Sequence, residues 1–127
     1  MNRHLVPRPM RVATWVDHDR GIAEVAGEVD VYTAPELRAA LSQVQAKAGQ
    51  PYLVVMLGEL TFMDSTGLGL LIAAHKRAAM AAGRVALVGT PRHLRRTLAV
   101  TGLDKLLPSF GSTAAAFAWF DSEASRV

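Results

Sequence analysis

"YLVVMLGELTFMDSTGLGLLIAAHKR", residues 52–77, contains the change of hydrophobic period that decides the fold. Residues 52–57 are almost wholly apolar, the pattern of a short strand whose two sheet faces are both covered. Further on, Leu68, Leu71, Ile72, His75 and Ala79 recur at helical spacing, and Gly83 supplies a stop. The stretch predicts a central strand, a loop from Gly58 to Thr66 and a helix over 66–82. At the junction stand Asp64, Ser65 and Thr66, beside Gly67 and Gly69. Either Asp64 or Ser65 caps the helix, a hydrogen bond worth about 1 kcal/mol. A serine there also lies where free N–H groups and the helix dipole favour an added anion. Each glycine costs roughly 1 kcal/mol of helix stability against alanine. Close helix-to-sheet packing would explain them, and so would another molecule approaching the backbone.

Working outward, residues 10–16 and 22–29 are rich in Val and Ile and are separated by "DHDRG", whose Asp and Gly suit a tight hairpin. In "TAPELRAALSQVQAKAG", 33–49, Leu37, Leu41 and Val44 keep helical spacing, Thr33 and Glu36 form a capping-box pattern, and Gly49 ends the segment. Downstream, "VALVG" (85–89) repeats the strand signal, and "TPRHLRRTLAVTG" (90–102) reads as a helix from Pro91 to Gly102. A short strand near 106–110 precedes a last helix capped by Ser112 or Thr113. Strands alternating with helices predict an α/β fold: a mixed, mostly parallel sheet of four to five strands with helices packed against it, opening with a β-hairpin. In such sheets sites form at the carboxyl ends of strands. The loops Gly27–Thr33, Gly58–Thr66 and Gly89–Pro91 are expected to bring Asp30, Asp64, Ser65 and Thr90 to one rim.

The 127 residues fit one domain, 1–127, with a core over about 10–120 and flexible ends at 1–9 and 122–127. Half the residues are hydrophobic and only 6% aromatic, so aliphatic packing builds the core. The formal charge of +3 is scattered, with no basic run interleaved with aromatics, so direct nucleic-acid binding is not expected. Without cysteine there is no disulfide, thiolate metal site or cysteine nucleophile, which suits a reducing cytoplasm. The opening "MNRHLVPRPMR" lacks the apolar core of a signal peptide, and no apolar run reaches the roughly 20 residues that span a bilayer.

Enzymatic chemistry finds little support. Ser65 is not in a G-x-S-x-G elbow, and His75 lies about 15 Å along the same helix, too far to act as its base. His75 instead reads as a bonded histidine on the inner helix face. His4, His18 and His93 show no ligand spacing, and no phosphate-cradling G-x-x-x-x-G-K motif is present, so neither metal nor cofactor is expected. Asp30 and Asp64 could together hold a cation, or Asp30 could bind backbone amides of its own loop. Asp64 as the acceptor of an Asp-phosphorylated module is a further reading, but the acidic pair and lysine it needs are not evident.

"GEVDVYTAPELRAAL", "LTFMDSTGLGLLIAAHKRA" and "VALVGTPRHLRRTLAVTGLDKLL" together resemble the STAS domain of bacterial anti-sigma factor antagonists, over about residues 10–120. The resemblance implies a binding switch rather than an enzyme. Its partners would be an anti-sigma factor that is also a serine kinase and a PP2C-type phosphatase. The implied phosphoacceptor is Ser65, directly after the motif aspartate, with Asp30, Asp64, Thr66, Gly67, Leu68 and Thr90 supporting the site or its partner surface. The alternative within the same family is a non-phosphorylated subunit of a lipid or solute ABC transporter complex. A cytoplasmic monomer or weak dimer is expected.

Overall fold

The computed structural model describes residues 9–124. The elements run β1 (Met10–Asp17), β2 (Arg20–Val29), α1 (Ala34–Lys47), β3 (Tyr52–Met63), α2 (Ser65–Met80), β4 (Arg84–Val88), α3 (Arg92–Thr101), a 3-10 turn at Leu103–Lys105, β5 (Ser109–Phe110) and α4 (Thr113–Ala124). The five strands lie in sequence order in one sheet. β1 and β2 are antiparallel, and every later neighbour is parallel. The expected architecture is therefore present. α4 continues to Ala124, into the 122–127 stretch. Residues 1–8 and 125–127, which hold the rest of both expected flexible ends, lie outside the described residues.

The β1–β2 hairpin turns on His18 and Asp19, both at positive φ (50° and 65°), the conformation a two-residue turn requires. Gly21 is not in that turn but in β2, where a Cβ would sit 3.3 Å from Leu53 and 3.4 Å from Val44. α1, α2 and α3 cover one face of the sheet with Leu37, Leu41, Val44, Leu71 and Leu98, and α4 covers part of the other with Ala116 and Phe120. Covering from both sides explains why Leu53, Val54 and Val55 are all fully buried in β3.

The buried face of α2 is rotated by one position from the predicted one. Gly67, Leu70, Leu71, Ala74 and Ala78 point inward, whereas Leu68 and Ile72 flank the core and Ala79 is exposed. The inward residues include a glycine and two alanines, which let the helix axis approach the sheet, so large side chains alone misplace the stripe. Beyond α2, Ala82 takes positive φ (63°), and Gly83 is required by contact: a Cβ there would lie 1.6 Å from the Pro51 carbonyl oxygen.

α4 is held by cations beneath its aromatic residues. Arg20 is nearly buried, with its guanidinium 4.9 Å from the Phe117 ring centre and 5.7 Å from that of Phe120, and it pairs with Asp121. Arg84 lies 4.5 Å from the Trp119 ring. Replacing Arg20 with alanine removes both the cation–π contacts and the stem that packs under α4. Arg20→Ala is expected to destabilise the fold by about 2 kcal/mol in chemical denaturation, with altered Trp119 emission.

His75 departs from expectation, because its Nδ1 is buried with no hydrogen-bond partner among the described residues. Burial, and then the positive charges of Arg84 and Lys76, hold its pKa below the usual 6.5. The unfolded chain thus binds a proton here before the folded one does. This contribution to stability is complete above pH 6.5 and is lost as pH falls toward the depressed folded-state value. The midpoint of urea unfolding should fall on acidification from neutrality, with a shallower fall in His75→Gln.

Candidate functional site

The site is built where β2 and β3 end side by side. Val29 and Met63 are the last paired residues, and the next residue, Asp64, donates its N–H to the Val29 carbonyl at 3.1 Å. Asp64 is still extended, with ψ −171°, and the chain then turns directly into α2. Its carboxylate Oδ1 accepts the N–H groups of Thr66 (2.9 Å) and Gly67 (3.2 Å), and its carbonyl accepts that of Leu68 (3.1 Å). Of the two candidate caps, Asp64 is the one used. Ser65 becomes the first helical residue, exposed and with no hydrogen bond from its hydroxyl among the described residues. The helix end is also less open to an anion than its sequence suggests, because two of its free amides are already bonded to Asp64.

Asp30 organises the neighbouring loop in the same manner. Its Oδ1 accepts the N–H groups of Tyr32 (2.9 Å) and Thr33 (3.1 Å). Thr33 Oγ1 accepts the Asp30 N–H at 3.0 Å and donates to the Glu28 carbonyl at 3.0 Å. That hydroxyl is committed to the loop, so the predicted capping box at α1 does not form. Both aspartates thus spend an oxygen on nearby backbone, the plainer of the readings open from sequence. Among the described residues, no group of three or more His, Asp or Glu is placed to hold a metal ion.

Thr90 does not share this rim, contrary to expectation. β4 ends at Val88, level with Met56, and Gly89 lies against Gly58, while β3 runs on to Met63. β2 and β3 stay paired past the end of β4, across two register irregularities. The predicted Gly58–Thr66 loop is mostly strand. Thr90 is buried beside the middle of β3, its hydroxyl bonded to Ser109 at 3.0 Å.

The two motif glycines separate cleanly. A Cβ on Gly67 would come within 2.6 Å of Met63 Cγ and 2.7 Å of Val29 Cγ1, whereas one on Gly69 would meet nothing within 4 Å. Close packing explains Gly67. Gly69 is exposed one turn beyond Ser65, so no internal contact demands it. Leu68 packs at the edge of the core, and Thr66 lines a groove with Val31, Pro35 and Arg38.

Sequence reasoning missed three apolar residues exposed at the ends of β2 and β3. Tyr32 is 85% exposed, Val31 60% and Phe62 46%. The available signal was "VDVYT", where Val31 and Tyr32 sit in a turn, outside the periodicity of either flanking element. Exposed apolar side chains bordered by polar ones are characteristic of a protein-docking surface.

With this geometry in view, comparison with known proteins is informative. A sequence model of the STAS domain matches residues 12–116. An anti-sigma-B factor antagonist of Listeria monocytogenes is 40% identical over 83 residues, or 65% of this chain and 72% of that protein. The crystal structure of an anti-sigma factor antagonist from Mycobacterium paratuberculosis superposes with a TM-score of 0.78 at 28% identity, over 89% of this chain and 95% of that one. The phosphorylated form of the Bacillus cell fate determinant SpoIIAA shares the fold, with a TM-score of 0.67 at 21% identity over 87% and 97% of the two chains. The chain belongs to the STAS domain family and, within it, groups with the anti-sigma factor antagonists. That is a class of regulatory binding proteins, not of enzymes. No helix among the described residues is long and apolar enough to cross a membrane.

The contrast between the glycines is testable by thermal unfolding. Gly67→Ala must displace Met63 and Val29 and should cost about 1–3 kcal/mol. Gly69→Ala should instead stabilise the protein, by up to about 1 kcal/mol from helix propensity.

Proposed function

We propose that this chain antagonises an anti-sigma factor by binding it through the Ser65 surface, and that phosphorylation of Ser65 ends the association. The observation that carries the reading is the division of labour at the start of α2. Asp64 takes the cap, so the adjacent serine is exposed and, among the described residues, unbonded, and it can be modified without dismantling the helix. The names of the relatives support an anti-sigma factor as partner, and a phosphorylated form is known for SpoIIAA, which shares the fold.

In this reading the anti-sigma factor is also a serine kinase. Ser65 Oγ attacks the γ-phosphorus of ATP, a new P–O bond forms, the bond to the β-phosphate oxygen breaks and ADP leaves. The serine proton passes to a base on the kinase, which also supplies the metal, so the acceptor needs only reach and orientation. A PP2C-type phosphatase then returns the serine by hydrolysis. The partner rests on Val31, Tyr32 and Phe62, with Gly69 and the Asp30 loop beside them.

Electrostatics gives the switch its sign. Phosphoserine adds up to about two negative charges next to Asp64, where the nearest helix amides are already taken. The new charge therefore faces the partner instead of being neutralised by the cap. Like charge held in an interface costs several kcal/mol, and about 3–4 kcal/mol corresponds to two to three orders of magnitude in affinity.

Incubation with the cognate kinase and ATP tests the proposal. Ser65→Ala is expected to abolish labelling and keep binding, whereas Ser65→Asp should weaken binding by about tenfold or more. Full-stoichiometry labelling of Ser65→Ala would overturn the acceptor assignment.

A further inference from the structure

The exposed outer edge of β1 carries a pattern that is complementary to itself. Among the described residues no element pairs with this edge, and Trp15 and Val16 are each 41% exposed along it. In a two-residue hairpin the closing pair, here Asp17 and Arg20, exchanges both backbone bonds. Residues 11, 13, 15 and 17 therefore direct their N–H and C=O groups toward β2. Residues 10, 12, 14 and 16 direct theirs outward. Side chains alternate as well: Met10 is in the main core and Val12 packs against it, so Met10, Val12, Thr14 and Val16 face the α1 side. Arg11, Ala13, Trp15 and Asp17 face the α4 side, which α4 only partly covers.

We propose that β1 pairs antiparallel with β1 of a second copy about a two-fold axis at Thr14, joining two five-stranded sheets into one. Outward hydrogen-bonding phase requires even-numbered residues to meet even-numbered residues, so the axis must pass through a residue position. With Thr14 opposite itself, Val12 meets Val16, Ala13 meets Trp15, and Arg11 meets Asp17, each twice by symmetry. A large ring thus lies over a small residue, and opposite charges face each other at both ends. Moving the axis to Ala13 sets Arg11 against Trp15 and leaves Asp17 without a partner. Moving it to Trp15 sets Asp17 against Ala13 and carries Arg11 past the end of the partner strand, level with the turn residue Asp19. Of these three, only the Thr14 register pairs both charged residues within the strands.

The surroundings are compatible with this pairing. Among the described residues Arg11 forms no ion pair, and Asp17 bonds only His18, at 2.7 Å. Glu24 and Glu59 line the hollow beside Arg11, so an added carboxylate there must compete with them, which makes the interface one of modest affinity. Edge strands usually carry charge to discourage pairing; here the two charges have opposite signs at mirrored distances from Thr14. The two-fold reverses strand direction, placing the two Ser65 sites at opposite ends of the joined sheet and leaving both accessible.

Sedimentation of the full chain from micromolar to near-millimolar concentration tests the proposal independently of any kinase or of Ser65. Wild type should pass from monomer to dimer. Thr14→Pro deletes an outward N–H without touching the β2 ladder and should leave only monomer, with circular dichroism verifying the fold. Arg11→Asp and Asp17→Arg should each weaken association by about tenfold, since each opposes like charges at both ends. The double reversal restores opposite charges and should recover wild-type association. A wild type that stays monomeric throughout, a dimer indifferent to Thr14→Pro, or a double reversal as weak as the singles would each refute it.

Discussion

The carboxylate of Asp64 is the contact on which the site depends. By accepting from Thr66 and Gly67 while its own N–H binds Val29, Asp64 ties the end of β2, the end of β3 and the start of α2 into one junction. A cap residue ordinarily satisfies only a helix. Here it also decides which neighbour stays free, because a serine performing the same task would have had its hydroxyl turned inward and bonded. The exposed hydroxyl of Ser65 thus follows from the choice of Asp at the preceding position.

Asp30 performs a parallel service one strand away, and the two loops are brought together by β2–β3 pairing that continues beyond the end of β4. The Asp30 loop presents Val31 and Tyr32, and the adjoining strand presents Phe62. The hydrogen bonds of both aspartates are satisfied internally, and Ser65 stands exposed beside Asp64.

How much of this could be read beforehand varied with the kind of signal. The strand at 52–57, the helix after it and the hairpin were legible because their periods differ sharply, and Gly102, at φ 78°, ends α3 where the sequence placed its stop. The failures had different causes: side-chain size, competing hydrogen-bond partners and unequal strand lengths. The inward face of α2 was displaced because Gly67, Ala74 and Ala78 carry little hydrophobic weight yet permit the closest approach to the sheet. Thr33 matched a capping pattern, but the turn at Asp30 offered its hydroxyl nearer partners. Thr90 was placed at the rim on the assumption that parallel strands end level, whereas β3 outruns β4.

By itself the sequence determined the order of elements, the mixed sheet and the identity of the helix-start cluster, because these rest on local periodicity and short-range hydrogen-bonding chemistry. Tertiary structure alone decided that Asp64 and not Ser65 is the cap, that Asp30 joins the cluster while Thr90 does not, and that Val31, Tyr32 and Phe62 are exposed. Those outcomes depend on strand lengths, register irregularities and the close seating of Gly67 on Met63 and Val29. Such contacts lie between residues distant in the chain, and no local pattern encodes their geometry.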